Sequence, residues 1–211
     1  MRAGSTLLKA LLATRREVSN LPEIPFDEAL SVKNEKTILV IKSPAYYGDL
    51  EYPSLPDIPS KKIILIRHPL NTILSLQKMN FEIFSYQLCI FSEINYLLSY
   101  WVDTYRRIMT KVDLRSSNTL IVRYEDLISD CILTTEKIFG FIGCEDSTGT
   151  DSYSFPTNFV WKWGSDDGGE KIKSLKIQKE SPQAIDQTLV EIINNSYQIK
   201  ELLNNYGYQD Q

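Results

Sequence analysis

A single histidine, His68, and three well-separated cysteines, Cys89, Cys131 and Cys144, leave this chain of 211 residues without a metal-ligand pattern or a disulfide framework. Thiols spaced in this way suit a chain kept in a reducing compartment, and no chemistry is assigned to them. No apolar run approaches the roughly 18 residues that span a bilayer. The first 15 residues are too broken by polar side chains to make a secretory signal. A cytoplasmic protein with no membrane span is the resulting expectation. Positive charge is also in short supply: a formal net charge of -4 and a pI of about 5.2 argue against a general nucleic-acid binder. A local basic pocket for a small anion is still compatible with that balance. The chain has no internal repeat. With 43% hydrophobic and 24% charged residues, its composition is that of an ordinary globular chain, expected to form one domain over residues 1–211.

Short apolar runs and helical stripes alternate along the chain. The apolar positions Leu7, Leu8, Leu11 and Leu12 predict a helix over 5–15, with Arg15 and Arg16 at its negative end. Continuous apolar runs at 37–41, 61–66 and 119–123 predict strands buried on both faces. Pro69 suits the first turn of a helix to about residue 79. A longer helix over 83–110 carries Leu98, Trp101 and Tyr105 on a core-facing stripe. Further helices are expected over 133–142, ending at Gly143, and over 182–205. This order predicts an α/β fold, a parallel sheet flanked by helices on both faces, in which ligands bind at the carboxyl ends of the strands. The proline-punctuated segment 43–60 is expected to border a pocket, and 145–170 to form a mobile loop.

Residues with anion-binding chemistry fall at those strand ends. Gly4, Ser5 and Thr6 form a small hydroxyl-bearing turn running into a helix, where backbone N–H groups face an anion, and Arg2 adds positive charge. Arg67 leaves the second apolar run, and Ser75 follows two helical turns later; a guanidinium fork and a hydroxyl can clamp one phosphate. Tyr124, Glu125 and Asp126 leave the third run. Taken singly, each has a plainer reading: a surface arginine, a packed tyrosine, carboxylates that cap the next helix.

In their order, these segments resemble the motifs of sulfotransferases that use 3′-phosphoadenosine 5′-phosphosulfate (PAPS). The segment Arg2-Ala3-Gly4-Ser5-Thr6-Leu7-Leu8 is similar to the family's R-S-G-T-T-L-L loop, and the segment from Arg67 to Leu76 to its R-D-P-R-D-V-x-x-S-L stretch. Arg123-Tyr124-Glu125-Asp126-Leu127 resembles R-Y-E-D-L, and Leu202 to Tyr208 resembles the closing L-x-x-x-L-G-Y. The pattern is nearest to tyrosylprotein, carbohydrate-type and bacterial members. The resemblance implies a P-loop-like sheet whose first strand, which precedes the loop in the family, has no counterpart ahead of Met1.

It further implies that Arg2, Gly4, Ser5 and Thr6 bind the 5′-phosphosulfate, that Arg67 and Ser75 hold the 3′-phosphate, and that Tyr124 lies near the adenine. Lys42 matches a lysine that reaches the transferring sulfuryl group. Lys176, in a segment that matches the tyrosylprotein branch imperfectly, is a further cofactor contact. Where small-molecule members place a histidine after that lysine, this chain has Pro44; His68 reads instead as a local hydrogen-bonding residue. Glu23 falls where tyrosylprotein members carry a glutamate base, and a buried carboxylate can take an acceptor proton. An exposed loop carboxylate is the plainer reading of Glu23. The implied reaction moves a sulfuryl group to an acceptor hydroxyl or amine and requires no metal. The acceptor's class is not readable from the residues. Two other readings stand beside it: a catalytically impaired binding module or fragment, and a P-loop kinase or NTPase. The latter lacks its G-x-x-x-x-G-K-[ST] pattern here.

Overall fold

The computed structural model describes residues 3–19, 30–31, 36–42, 59–77, 94–154, 174–177 and 186–208. Among them, two strands and seven helices make a mixed α/β fold: α1 Ser5–Leu12, β1 Lys62–Ile66, α2 Pro69–Gln77, α3 Ile94–Lys111, β2 Thr119–Arg123, α4 Tyr124–Ser129, α5 Cys131–Ile142, α6 Gln187–Asn195 and α7 Tyr197–Asn205. The strands β1 and β2 pair in parallel, from Lys62 opposite Thr119 to Ile66 opposite Arg123.

Alternation along these strands divides the apolar side chains between two cores. Ile64 and Ile66 of β1, with Ile121 of β2, join a core built from α2, α3, α6 and α7, centred on Ile73, Leu97, Trp101, Tyr105 and Leu202. Ile63 and Leu65, opposite Leu120 and Val122, face a second core with Leu11 and Leu12 of α1, Leu127 of α4, and Ile138 and Phe139 of α5. Both faces of the sheet are therefore covered, which is why the strands read as continuous apolar runs rather than alternating ones. Each fully buried Leu, Ile or Phe stabilises the fold by about 1.5–3 kcal/mol relative to an exposed one.

The run at 37–41 does not form a strand. Among the described residues its backbone meets the turn after α1, through a parallel bridge between Val18 and Ile38 and hydrogen bonds from Ser19 N–H to Ile38 C=O and from Ile38 N–H to Glu17 C=O, each 2.9 Å. The Val40 N–H donates to the Ser19 side-chain oxygen at 2.9 Å, so a hydroxyl takes the place that a strand carbonyl would fill. The single helix expected over 182–205 is two helices among the described residues. Ser196 adopts an extended conformation (φ -86°, ψ 108°), ends α6, and caps α7 by accepting from Ile199 N–H. Helix α5 ends as expected, with Gly143 in the left-handed conformation at φ 90°.

The start of the segment expected to be mobile is docked. Arg15 donates to the Thr148 carbonyl and stacks over Phe139 at 4.3 Å. The Thr150 N–H donates to the buried Thr135 hydroxyl at 2.8 Å. A Cβ at Gly149 would overlap the Ile132 carbonyl, so only glycine permits this close approach. Residues 155–170, the early part of the helix expected over 83–110, and 43–58 of the proline-rich segment lie outside the described residues.

Candidate functional site

The carboxyl ends of β1 and β2 and the start of α1 converge. Gly4 is the N-cap of α1 in the left-handed conformation, φ 86° and ψ 19°, with no side-chain cap. The amides of a helix's first turn point outward along its axis, and the helix dipole adds partial positive charge there. Gly4 lies against the edge of the Tyr124 ring, so closely that a Cβ would sit 2.5 Å from Cδ2 and 2.6 Å from Cε2. Over the face of that ring lies the Arg67 guanidinium, its Cζ 4.4 Å from the centroid. Thr6, one position into the helix from Ser5, accepts a hydrogen bond at 3.0 Å from the Lys42 ammonium. Gly4, Tyr124 and Arg67 thus form one stack, and Lys42 meets Thr6 in the first turn of the helix that Gly4 opens.

Arg67 is buried, and its backbone is held from several directions. Its carbonyl accepts from the Trp101 indole N–H at 3.1 Å and from the Thr72 hydroxyl at 3.3 Å. Two residues earlier, on β1 itself, the Leu65 carbonyl accepts from the Tyr105 hydroxyl at 3.2 Å. The stripe that packs α3 into the core therefore also fixes the end of β1. Sequence reasoning read Trp101 and Tyr105 as core alone; an indole and a phenol on a stripe facing a strand end are the signal that they need carbonyl partners.

The carboxylates after β2 do not cap α4, which has no side-chain cap hydrogen bond. Arg123 grips Asp126 with two hydrogen bonds of 2.7 Å, which raise its already high pKa, and donates to the Gly207 carbonyl at 3.1 Å. Glu125 accepts the His68 backbone N–H at 3.0 Å through Oε1 and the Tyr208 hydroxyl at 2.6 Å through Oε2. His68 itself accepts the Leu70 N–H at Nδ1, 3.3 Å, the local role expected of it. Its ring meets Tyr208 edge to face at 5.7 Å. Burial lowers the His68 pKa, and the nearby Glu125 charge works against that shift. Burial and the same carboxylate push the Tyr208 phenol well above its ordinary range, keeping it a proton donor.

The remaining expected residues are placed as follows. Ser75 is half-buried on α2, and Ser5 opens α1. Lys176 is exposed and pairs through its backbone with Ser152 in an antiparallel bridge. Beside that bridge, Tyr153 is buried in the second core, its phenol pushed up to about 12 by burial and then by the neighbouring Tyr124. Arg2 and Glu23 lie outside the described residues. The cluster offers cationic and hydroxyl donors beside an aromatic ring, a donor set suited to a phosphate-bearing nucleotide.

Among the described residues no helix is long and apolar enough to cross a membrane. No curated protein and no solved structure matches the chain. A family model described as the sulfotransferase family matches residues 23–148, well over half of the chain, in a stretch that contains Lys42, Arg67, Ser75 and Tyr124 and begins after the Gly4 turn. With that match, the protein whose strand ends carry Arg67 and Tyr124 belongs to the sulfotransferase family.

Proposed function

We propose that the chain is a single domain that transfers a sulfuryl group from PAPS to an acceptor hydroxyl or amine. The observation that carries this reading is the contact of Gly4, Tyr124 and Arg67 at the ends of two parallel strands, in a chain of the sulfotransferase family. In this reading, Arg2, Gly4, Ser5 and Thr6 take the 5′-phosphosulfate, and Arg67 with Ser75 the 3′-phosphate. Tyr124 lies against the adenine, and Lys176 adds an outer contact. Lys42, already hydrogen-bonded to Thr6, stabilises charge that builds on the sulfuryl oxygens as transfer proceeds. Glu23 takes the acceptor proton. PAPS supplies the activated sulfuryl group; the chain supplies position and charge, the terms that dominate in the analogous transfer of phosphoryl groups.

Calorimetry with adenosine 3′,5′-bisphosphate in the absence of magnesium tests the reading. The chain should bind this nucleotide and ignore ATP. Arg67→Ala should weaken binding about 10- to 100-fold, the worth of a hydrogen bond to a charged group. With labelled PAPS and a panel of acceptors, Glu23→Gln should lower turnover while leaving nucleotide affinity intact. Binding of ATP in preference to the bisphosphate overturns the proposal; bisphosphate binding without transfer to any acceptor identifies a binding module instead.

A further inference from the structure

Tyr208 stands beyond α7, outside every role assigned above, yet its hydroxyl reaches Glu125, just past the end of β2. The chain turns there because Gly207 adopts φ 80°, with the Tyr208 N–H returning to the Leu203 carbonyl at 2.9 Å and the Gly207 N–H to Asn204 at 3.1 Å. That turn sends the phenol back to Glu125 Oε2, a short hydrogen bond of 2.6 Å to a carboxylate. The other oxygen of the same carboxylate holds the His68 N–H, the first backbone group after Arg67. Glu125 also adjoins Tyr124, whose ring carries the Arg67 guanidinium. One carboxylate therefore ties the residue after Arg67 and the residue after Tyr124 into one unit, and Tyr208 fixes the orientation of that carboxylate.

We infer that Tyr208 is a positioning residue of the nucleotide site, acting through Glu125 to hold Arg67 over Tyr124; this rests on the reading of Arg67 as a phosphate ligand. Without the phenol, the carboxylate has one fewer donor and turns toward water. The His68 N–H then loses its acceptor, and the end of β1 loses one of the holds that it shares with Trp101 and Thr72 on the Arg67 carbonyl and Tyr105 on the Leu65 carbonyl. The guanidinium is then no longer preorganised. Affinity for a 3′-phosphate suffers, whereas the overall fold does not, because phenylalanine keeps the ring that packs against the first core.

The aromatic two positions earlier provides the control. Tyr206 is buried, and its hydroxyl donates to the Tyr105 carbonyl at 2.8 Å inside the first core, away from Glu125. Calorimetry with adenosine 3′,5′-bisphosphate on the full chain should show affinity falling about tenfold in Tyr208→Phe, the loss of one charge-assisted hydrogen bond. Tyr206→Phe should lower the thermal midpoint at least as much and keep wild-type affinity. Glu125→Ala should weaken binding at least as far as Tyr208→Phe, and the double variant no further, because the phenol acts only through the carboxylate. In the ligand-free chain, Tyr208→Phe should also speed amide exchange at His68. Wild-type affinity in Tyr208→Phe, or additive losses in the double variant, overturns this inference alone. A wild-type chain that ignores the bisphosphate removes the reading beneath it, and the inference falls with that reading.

Discussion

Replacing Gly4 by alanine probes the turn where the site is tightest. Two costs follow from the structure. At φ 86° a residue with a Cβ sits in the left-handed region, which costs roughly 1–2 kcal/mol. The added carbon would also lie 2.5 Å from Tyr124 Cδ2, so the ring must move, and it cannot move without leaving the Arg67 guanidinium above it. That cation–π contact is worth about 0.5–2 kcal/mol, towards the upper end where the pair is desolvated. The sum is a loss of about 1.5–4 kcal/mol in urea denaturation followed by circular dichroism. The proper comparison is Gly140→Ala, inside α5, where an added Cβ meets nothing within 4 Å. That change should stabilise the chain by about 0.5–1 kcal/mol, since alanine loses less backbone freedom in a helix. A Gly4→Ala loss below about 0.5 kcal/mol, the range of an unremarkable surface substitution, would refute the geometry of the turn.

Other changes have equally definite outcomes. Thr135→Val leaves the Thr150 N–H without the hydroxyl it reaches at 2.8 Å and should cost about 1–3 kcal/mol by denaturant titration; Thr135→Ser should recover most of it. Burial holds His68 below its ordinary 6.5. Under acid conditions the unfolded state takes up a proton that the folded state resists, so stability tied to neutral His68 is present above that value and drains away as the pH falls through the folded pKa. His68→Asn can keep an acceptor for Leu70 N–H, so it should lose less stability than the wild type between about pH 7.5 and 5.5, read from urea midpoints; equal losses would assign the slope to other groups. Burial pushes the Cys131 thiol up to about 12 and the Cys144 thiol up to about 11. Neither should be alkylated by iodoacetamide in the folded protein near pH 8, and peptide mass spectrometry should find both labelled once the chain is unfolded.

Strands β1 and β2 were legible because burial on both faces demands unbroken apolar runs, and Ile63–Ile66 and Thr119–Val122 supply them. The run at 37–41 has the same composition, but a strand also needs a neighbour, and among the described residues its backbone partners are a turn and the Ser19 hydroxyl. Hydropathy does not encode that. Ser196 carried its own signal, a capping residue three positions before Ile199, hidden inside an apolar periodicity that continues across it. Of the candidate site, the residues with obvious anion chemistry were readable from type and order. The double duty of Glu125 was not, because it depends on His68 and Tyr208 arriving from distant parts of the chain. The same holds for Trp101, whose indole meets the Arg67 carbonyl only once α3 has packed against β1.

The span of the bonds made by α7 and its following turn governs when the first core can close. Tyr206 bonds Tyr105 across 101 residues, Gly207 bonds Arg123 across 84, and Tyr208 bonds Glu125 across 83. Contacts that distant form late, after the entropy of closing the intervening chain has been overcome. On the ribosome, Leu97, Trp101 and Tyr105 therefore emerge long before the helix that covers them, and for that interval they are an apolar surface without its cover. A nascent chain halted ahead of α7 should be a chaperone client and a protease substrate.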